Sequence, residues 1–218
     1  MNFREEIIDR LNKIPGKYSM YEVFSDWIRC CAIAISNSTE LIRGNVWQDR
    51  EKAYRDTMNR YTENEQQLFY EMFGLLTMAL EEDTEDVLGK IYMESGMGSK
   101  ATGQFFTPYH LSKLCAAVAV HELDRDGKYI INEPSCGGGG MIIAAINELK
   151  KKGINYQKDV KVVAQDLDWK GVYMCYLQLS LMGVRAVCVQ GDTLERTYQK
   201  GYPPDRVMYT PAERGMLV

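Results

Sequence analysis

"INEPSCGGGGMIIAA", residues 131–145, places four consecutive glycines between a run with strand character and a run with helical character. The run "KYIINEP" (128–134) reads as a strand and "GMIIAAINELKKKG" (140–153) as a helix. In an open α/β sheet, glycines at the carboxyl end of a strand mark the crevice where ligands bind. A ligand can approach a backbone without side chains, and free amides at the helix start face it.

The rest of the second half extends this pattern. "LSKLCAAVAVHEL" (111–123) reads as a helix, "VKVVAQD" (160–166) as a strand and "DWKGVYMCYLQLSLMG" (168–183) as a helix, while "RAVCVQGD" (185–192) and "DRVMYT" (205–210) read as strands. Strands alternating with helices predict an α/β fold with a parallel, Rossmann-like sheet and right-handed crossovers. Valine and isoleucine at both parities of the short strands predict helices on both faces.

The first half is helical in period throughout, with four or five helices in "EEIIDRLNKI", "YEVFSDWIRCCAIAI", "ENEQQLFYEMFGLLTMAL" and "TEDVLGKIYMESG". Thr62 with Glu65 fits a capping box, and Thr84 is placed to cap the last of these helices. The aromatic and methionine stripes read as core, including Trp169, Tyr173 and Tyr176 in the second half. "ESGMGSKATGQ" (94–104) is a run of small and polar residues, which predicts a hinge between a helical region, 1–95, and a sheet domain, 96–218.

Composition narrows the functional classes. The chain has 218 residues and a net charge of −4. This acidic balance argues against gripping nucleic acid unaided through a broad basic face. The charge is uneven: residues 1–100 carry 12 Lys and Arg against 18 Asp and Glu, and residues 101–218 carry 14 against 12. No apolar run reaches the about 18 residues of a membrane span, and the charged start is unlike a signal peptide, so a cytoplasmic protein is expected. The six cysteines form no C-x-x-C pair and read as thiols, not as metal ligands or disulfides.

A phosphate ligand fits the glycines poorly. No Gly-Lys-Ser/Thr follows them as in a P-loop, and Ile142 stands where the third glycine of G-x-G-x-x-G belongs, which weakens a nicotinamide-dependent oxidoreductase reading. Carboxylates remain at the strand ends: Glu133, Asp166 and Asp192. Each is a pure acceptor suited to an amine or a diol. Asp192 also reads as a helix N-cap, and Asp168 as the cap of the helix beginning near Trp169.

"GQFFTP" (103–108), "EPSCGGGGMIIAA" (133–145), "AQDLD" (164–168) and "GDTL" (191–194) resemble, in order and spacing, the motifs of N6-adenine DNA methyltransferases. The modification subunits of type I restriction systems are the most similar group. The resemblance implies S-adenosylmethionine as cofactor, DNA as substrate and a specificity subunit as partner. It implies that Phe105, Thr107 and Pro108 line the methionine side, and that Glu133, Gly137 and Gly139 cradle the amino acid. Asp166 would take the ribose hydroxyls and Asp192 the adenine amine, with Pro134, Cys136, Leu167 and Thr193 flanking them.

One motif departs from the family. Where Asn-Pro-Pro-aromatic would hold a flipped adenine, the chain has "TPAE", so that Thr210 and Pro211 occupy the catalytic positions in degenerate form. The sequence then ends, which predicts a sheet truncated after its fourth strand, with "RVMYT" as an edge covered by self-association or another chain. Two functional classes follow from this: a methyltransferase subunit acting with other chains, and a cofactor-binding regulatory or assembly module without chemistry.

Overall fold

The computed structural model describes residues 2–14, 16–97, 106–120, 127–199 and 201–216. Five helices come first: α1 (Phe3–Lys13), α2 (Met20–Ser38), α3 (Asn45–Met58), α4 (Glu63–Glu82) and α5 (Val87–Glu94). Their caps are largely those the sequence offers. Thr62 and Glu65 form the expected capping box at α4, and Ser19 with Glu22 forms another at α2. The cap of α5 differs from expectation. Asp86, not Thr84, accepts the Gly89 N–H at 2.9 Å. Thr84 instead serves α7, its hydroxyl accepting from Lys150 and its carbonyl from Asn147.

The second half contains α6 (Tyr109–Val120), β1 (Tyr129–Glu133), α7 (Gly140–Lys151), the short α8 (Tyr156–Asp159), β2 (Val160–Asp166), α9 (Trp169–Leu181), β3 (Arg185–Gln190) and β4 (Val207–Tyr209). The sheet order is β1-β2-β3-β4, with β1, β2 and β3 parallel. The fold is thus the expected α/β type, but β4 runs antiparallel to β3, pairing Val189 with Val207 and Val187 with Tyr209. A parallel fourth strand needs a crossover that carries the chain back to the start of the sheet. The described residues of 191–206 make no such return. They stay at the carboxyl ends, where Gln165 bonds the Arg196 carbonyl and the Tyr198 N–H, and Arg206 bonds Gln190. The next strand therefore starts at that end and runs backward.

One continuous apolar core joins the helical region to the sheet, from Ile7, Phe24 and Trp27 through Leu88 and Tyr92 to Met174, Cys188 and Met208. It covers one face of the sheet. The other face is not helix-covered as expected: Val187, Val189 and Val207 pack under Tyr198, Tyr202 and Tyr209, while Ile130 of β1 is 75% exposed. Tyr176 is fully buried, its hydroxyl on the Tyr209 carbonyl, while Trp169 and Tyr173 stack at 5.0 Å and pack against the core. All six cysteines are free thiols; four are buried and Cys115 is exposed. Among the described residues, no helix is long and apolar enough to cross a membrane and no cluster could hold a metal ion.

Candidate cofactor site

The glycine run sits where β1 ends and α7 begins, and its geometry accounts for each glycine separately. Gly137 (φ +48°) and Gly139 (φ +94°) adopt backbone conformations that L side chains rarely enter. A Cβ on Gly137 would lie 2.8 Å from the Phe106 ring, on Gly138 3.0 Å from Met174 Cε, on Gly139 3.1 Å from Cys175 Sγ and on Gly140 2.7 Å from Asp86 Oδ2. The missing side chains thus first admit the protein's own neighbours. The loop is moulded onto α9 below and Phe106 above.

Asp166 fixes the mouth of this loop. At the end of β2, its Oδ2 accepts the Gly137 N–H at 2.7 Å and its Oδ1 the Asp168 N–H at 2.9 Å. The backbone adds Cys136 N–H to the Gln165 carbonyl and Gly191 N–H to the Asp166 carbonyl, each at 2.9 Å. Thr193 Oγ1 donates to the Pro134 carbonyl at 2.7 Å, drawing the loop after β3 against the glycine run. Three of the four sequence motifs therefore converge through hydrogen bonds at the carboxyl ends of β1, β2 and β3.

A cavity of about 370 Å³ opens above this junction. Thr107, Glu133, Cys136, Gly137 and Asp166 line it, as do Asp86 and Phe106, which the sequence reading had not singled out. Asp86 comes from the N-cap of α5, in the other half of the chain, and nothing in the chain order places it under the glycine loop. The wall carries three carboxylates and no positively charged side chain among the described residues. Glu133 Oε1 accepts the Ser135 N–H at 3.2 Å.

Other expected residues lie beside the cavity. Pro108 lines an adjoining cavity that shares Asp86, Phe106 and Thr107 with the first. Gly139 is buried against Cys175. Leu167 projects from the rim, 67% exposed. Asp192 turns its Oδ1 to the Leu194 N–H at 2.8 Å in a local Asx turn; no helix starts there for it to cap. Asp168 occupies the N-cap position of α9. Phe105, with most of the hinge, lies outside the described residues.

Thr210 and Pro211 are not brought to the cavity. Thr210 is fully buried beside the start of β3, donating to the Val184 carbonyl at 2.7 Å and accepting the Ala186 N–H at 2.9 Å. With about 3.3 Å per strand residue, that puts it roughly 15 Å from the cavity end of the sheet. "TPAE" is a short turn capped by its own threonine: Glu213 and Arg214 N–H bond the Thr210 carbonyl at 3.0 and 3.1 Å. S/T-x-x-E with proline at the first turn position is a capping signature.

The family model of N-6 DNA methylases matches residues 83–212. The chain belongs to the N-6 DNA methylase family. A relative, the type I restriction enzyme MjaIX methylase subunit of Methanocaldococcus jannaschii, is 31% identical over 117 residues, 51% of this chain and 20% of that protein. The matched stretch is thus a fifth of the relative's length. Among solved structures, the type I restriction-modification system methyltransferase subunit from Streptococcus thermophilus aligns with 92% of this N-6 DNA methylase family chain and 60% of its own, at 14% identity and a TM-score of 0.44. DszA carbon methyltransferase aligns with 89% and 67% of the two chains, at 14% identity and a TM-score of 0.27.

Proposed function

We propose that this N-6 DNA methylase family member binds S-adenosylmethionine in the glycine-loop cavity. The observation that carries the reading is the wall of three carboxylates without a cation. Such a wall repels the pyrophosphate of a dinucleotide and attracts a ligand with a sulfonium and an ammonium group. The volume, about 370 Å³, suits a nucleoside-sized ligand. Asp166 would accept from the ribose hydroxyls with the lone pairs left by Gly137 and Asp168. Glu133 and the loop would hold the amino acid end, with Thr107 beside it and Leu167 packing on the adenine. The bound cofactor would supply an activated methyl group.

Methyl transfer to adenine N6 is a separate matter. The residues aligned with the base-holding motif, Thr210 and Pro211, form a structural turn at the far end of the sheet, which favours the second reading, a cofactor-binding module that lacks base-holding groups of its own. In a methylating assembly those groups, the DNA contacts and sequence recognition would come from elsewhere, a specificity subunit and a second methylase-type chain being the partners that kinship suggests. Calorimetric titration with S-adenosylmethionine, alongside tritiated methyl transfer to unmethylated DNA, tests both parts. Micromolar binding without transfer is expected. Absence of binding overturns the cofactor reading, and transfer by this chain overturns the second.

A further inference from the structure

Asp86 is a carboxylate with one oxygen committed and one not. It is 3% exposed, at the N-cap of α5. Its Oδ1 accepts both the Gly89 N–H at 2.9 Å and Gln178 Nε2 at 3.0 Å. Both hydrogen bonds recorded for this carboxylate among the described residues fall on Oδ1, and Asp86 lines both the glycine-loop cavity and the adjoining one. Two glycines make room for the other oxygen, Oδ2: a Cβ on Gly89 would lie 2.1 Å from Oδ2, and a Cβ on Gly140 2.7 Å from it. Lys90, whose charge acts on Asp86, is itself paired with Glu85. A buried carboxylate with no ion pair of its own is costly.

We propose that Asp86 Oδ2 is the acceptor for the primary ammonium group of the ligand, forming the floor of the cavity. This rests on the S-adenosylmethionine reading and deepens it by dividing the amino acid end of the ligand. The ammonium goes down to Asp86, and Glu133 at the half-exposed mouth is left to the more solvated groups. Gln178 makes the arrangement rigid. Its Nε2 donates to both Asp86 Oδ1 and the Gly138 carbonyl, and its Oε1 accepts the Leu88 N–H, so Asp86 and the glycine loop are fixed by the same side chain.

Asp86→Asn is a clean probe. Asparagine is an equally good N-cap and keeps its carbonyl on the Gly89 and Gln178 donors, which turns an N–H₂ toward the cavity in place of Oδ2. Calorimetry on the full chain would use S-adenosylhomocysteine and its deamino analogue, in which hydrogen replaces the α-amino group. The wild type is expected to prefer the amino-bearing ligand by about 10- to 100-fold, the scale of a hydrogen bond to a charged group. Asp86→Asn should abolish that preference by weakening S-adenosylhomocysteine alone, and Asp86→Ser, a second capping residue, should do the same. Equal weakening of both ligands, or a preference that survives in the variants, overturns the proposal while leaving the cofactor reading intact. A wild type that binds neither ligand overturns both.

Discussion

Asp166 Oδ2 holds the Gly137 N–H at 2.7 Å, so the carboxylate assigned to a ligand already orders the loop that would receive it. Asp166→Ala should therefore act twice. Binding should weaken by about 1.5–3 kcal/mol, the scale for hydrogen bonds involving a charge. The fold itself should lose about 1–3 kcal/mol, because two backbone N–H groups lose their acceptor. Titration calorimetry and chemical denaturation separate the two effects, and unchanged affinity would remove Asp166 from the site.

Thr210 should prove structural. Thr210→Val keeps the shape and leaves the Val184 carbonyl and Ala186 N–H unpaired in a buried position, at a cost of about 1–3 kcal/mol in unfolding free energy. S-adenosylmethionine affinity should not move. The paired substitution Thr210→Asn with Glu213→Tyr, which restores two residues of the family motif, should give no adenine methylation. It should also destabilise the protein, since Glu213 is paired with Lys161 and Arg185. Methylation by that variant would show that the far-end turn can reach the cavity.

Gly140 offers a test of packing against Asp86. Its φ is not in the left-handed region, so Gly140→Ala is penalised only by the 2.7 Å approach to Asp86 Oδ2. The single substitution should cost about 1–3 kcal/mol as overpacking. In an Asp86→Ser background the same substitution should cost much less, giving a coupling energy of at least about 0.5 kcal/mol in a double-mutant cycle. Additive losses would mean that another group meets the new methyl.

Burial raises the Asp86 carboxyl above its usual value of 3.8, opposed by the hydrogen bonds from Gln178 and Gly89 and by Lys90, and reinforced by Glu85. The native state then holds its proton more tightly than the unfolded chain. Stability falls as pH rises from 3.8 through the raised value. Asp86→Asn removes that fall. Thermal melts of the variant should be at least as high as those of the wild type at pH 7, with the advantage vanishing near pH 4. A variant less stable at pH 7 than at pH 4, relative to wild type, would contradict the assignment.

The strands and helices of the second half were readable because apolar periodicity and glycine position are local signals, and β2 falls on 160–166 as read. The lining of the cavity was partly readable for the same reason: Glu133, Gly137 and Asp166 mark strand ends that adjacent βα units must align. What escaped was long-range. Whether β4 runs with or against β3 depends on where residues 191–206 are tied down, through contacts such as Gln165 with Arg196, which no periodicity records. Asp86 reaches the cavity from a helix in the other half of the chain. The distance of Thr210 from the cavity escaped for a different reason: it is set by hydrogen bonds to Val184 and Ala186, which alignment to a motif does not register.

The bonds of Gln178 have a bearing on how the molecule assembles. This one amide joins α9 to Leu88, 90 residues earlier, to Asp86, 92 residues earlier, and to Gly138, 40 residues earlier. Closing loops of that length carries an entropic cost that only late, non-local contacts repay. As the ribosome delivers the chain, helices α1 to α5 can coil at once, but the cavity has no finished floor until α9 has emerged and docked. Until then Asp86 stands in water as an ordinary surface carboxylate, and the glycine loop of the nascent chain has nothing to close against.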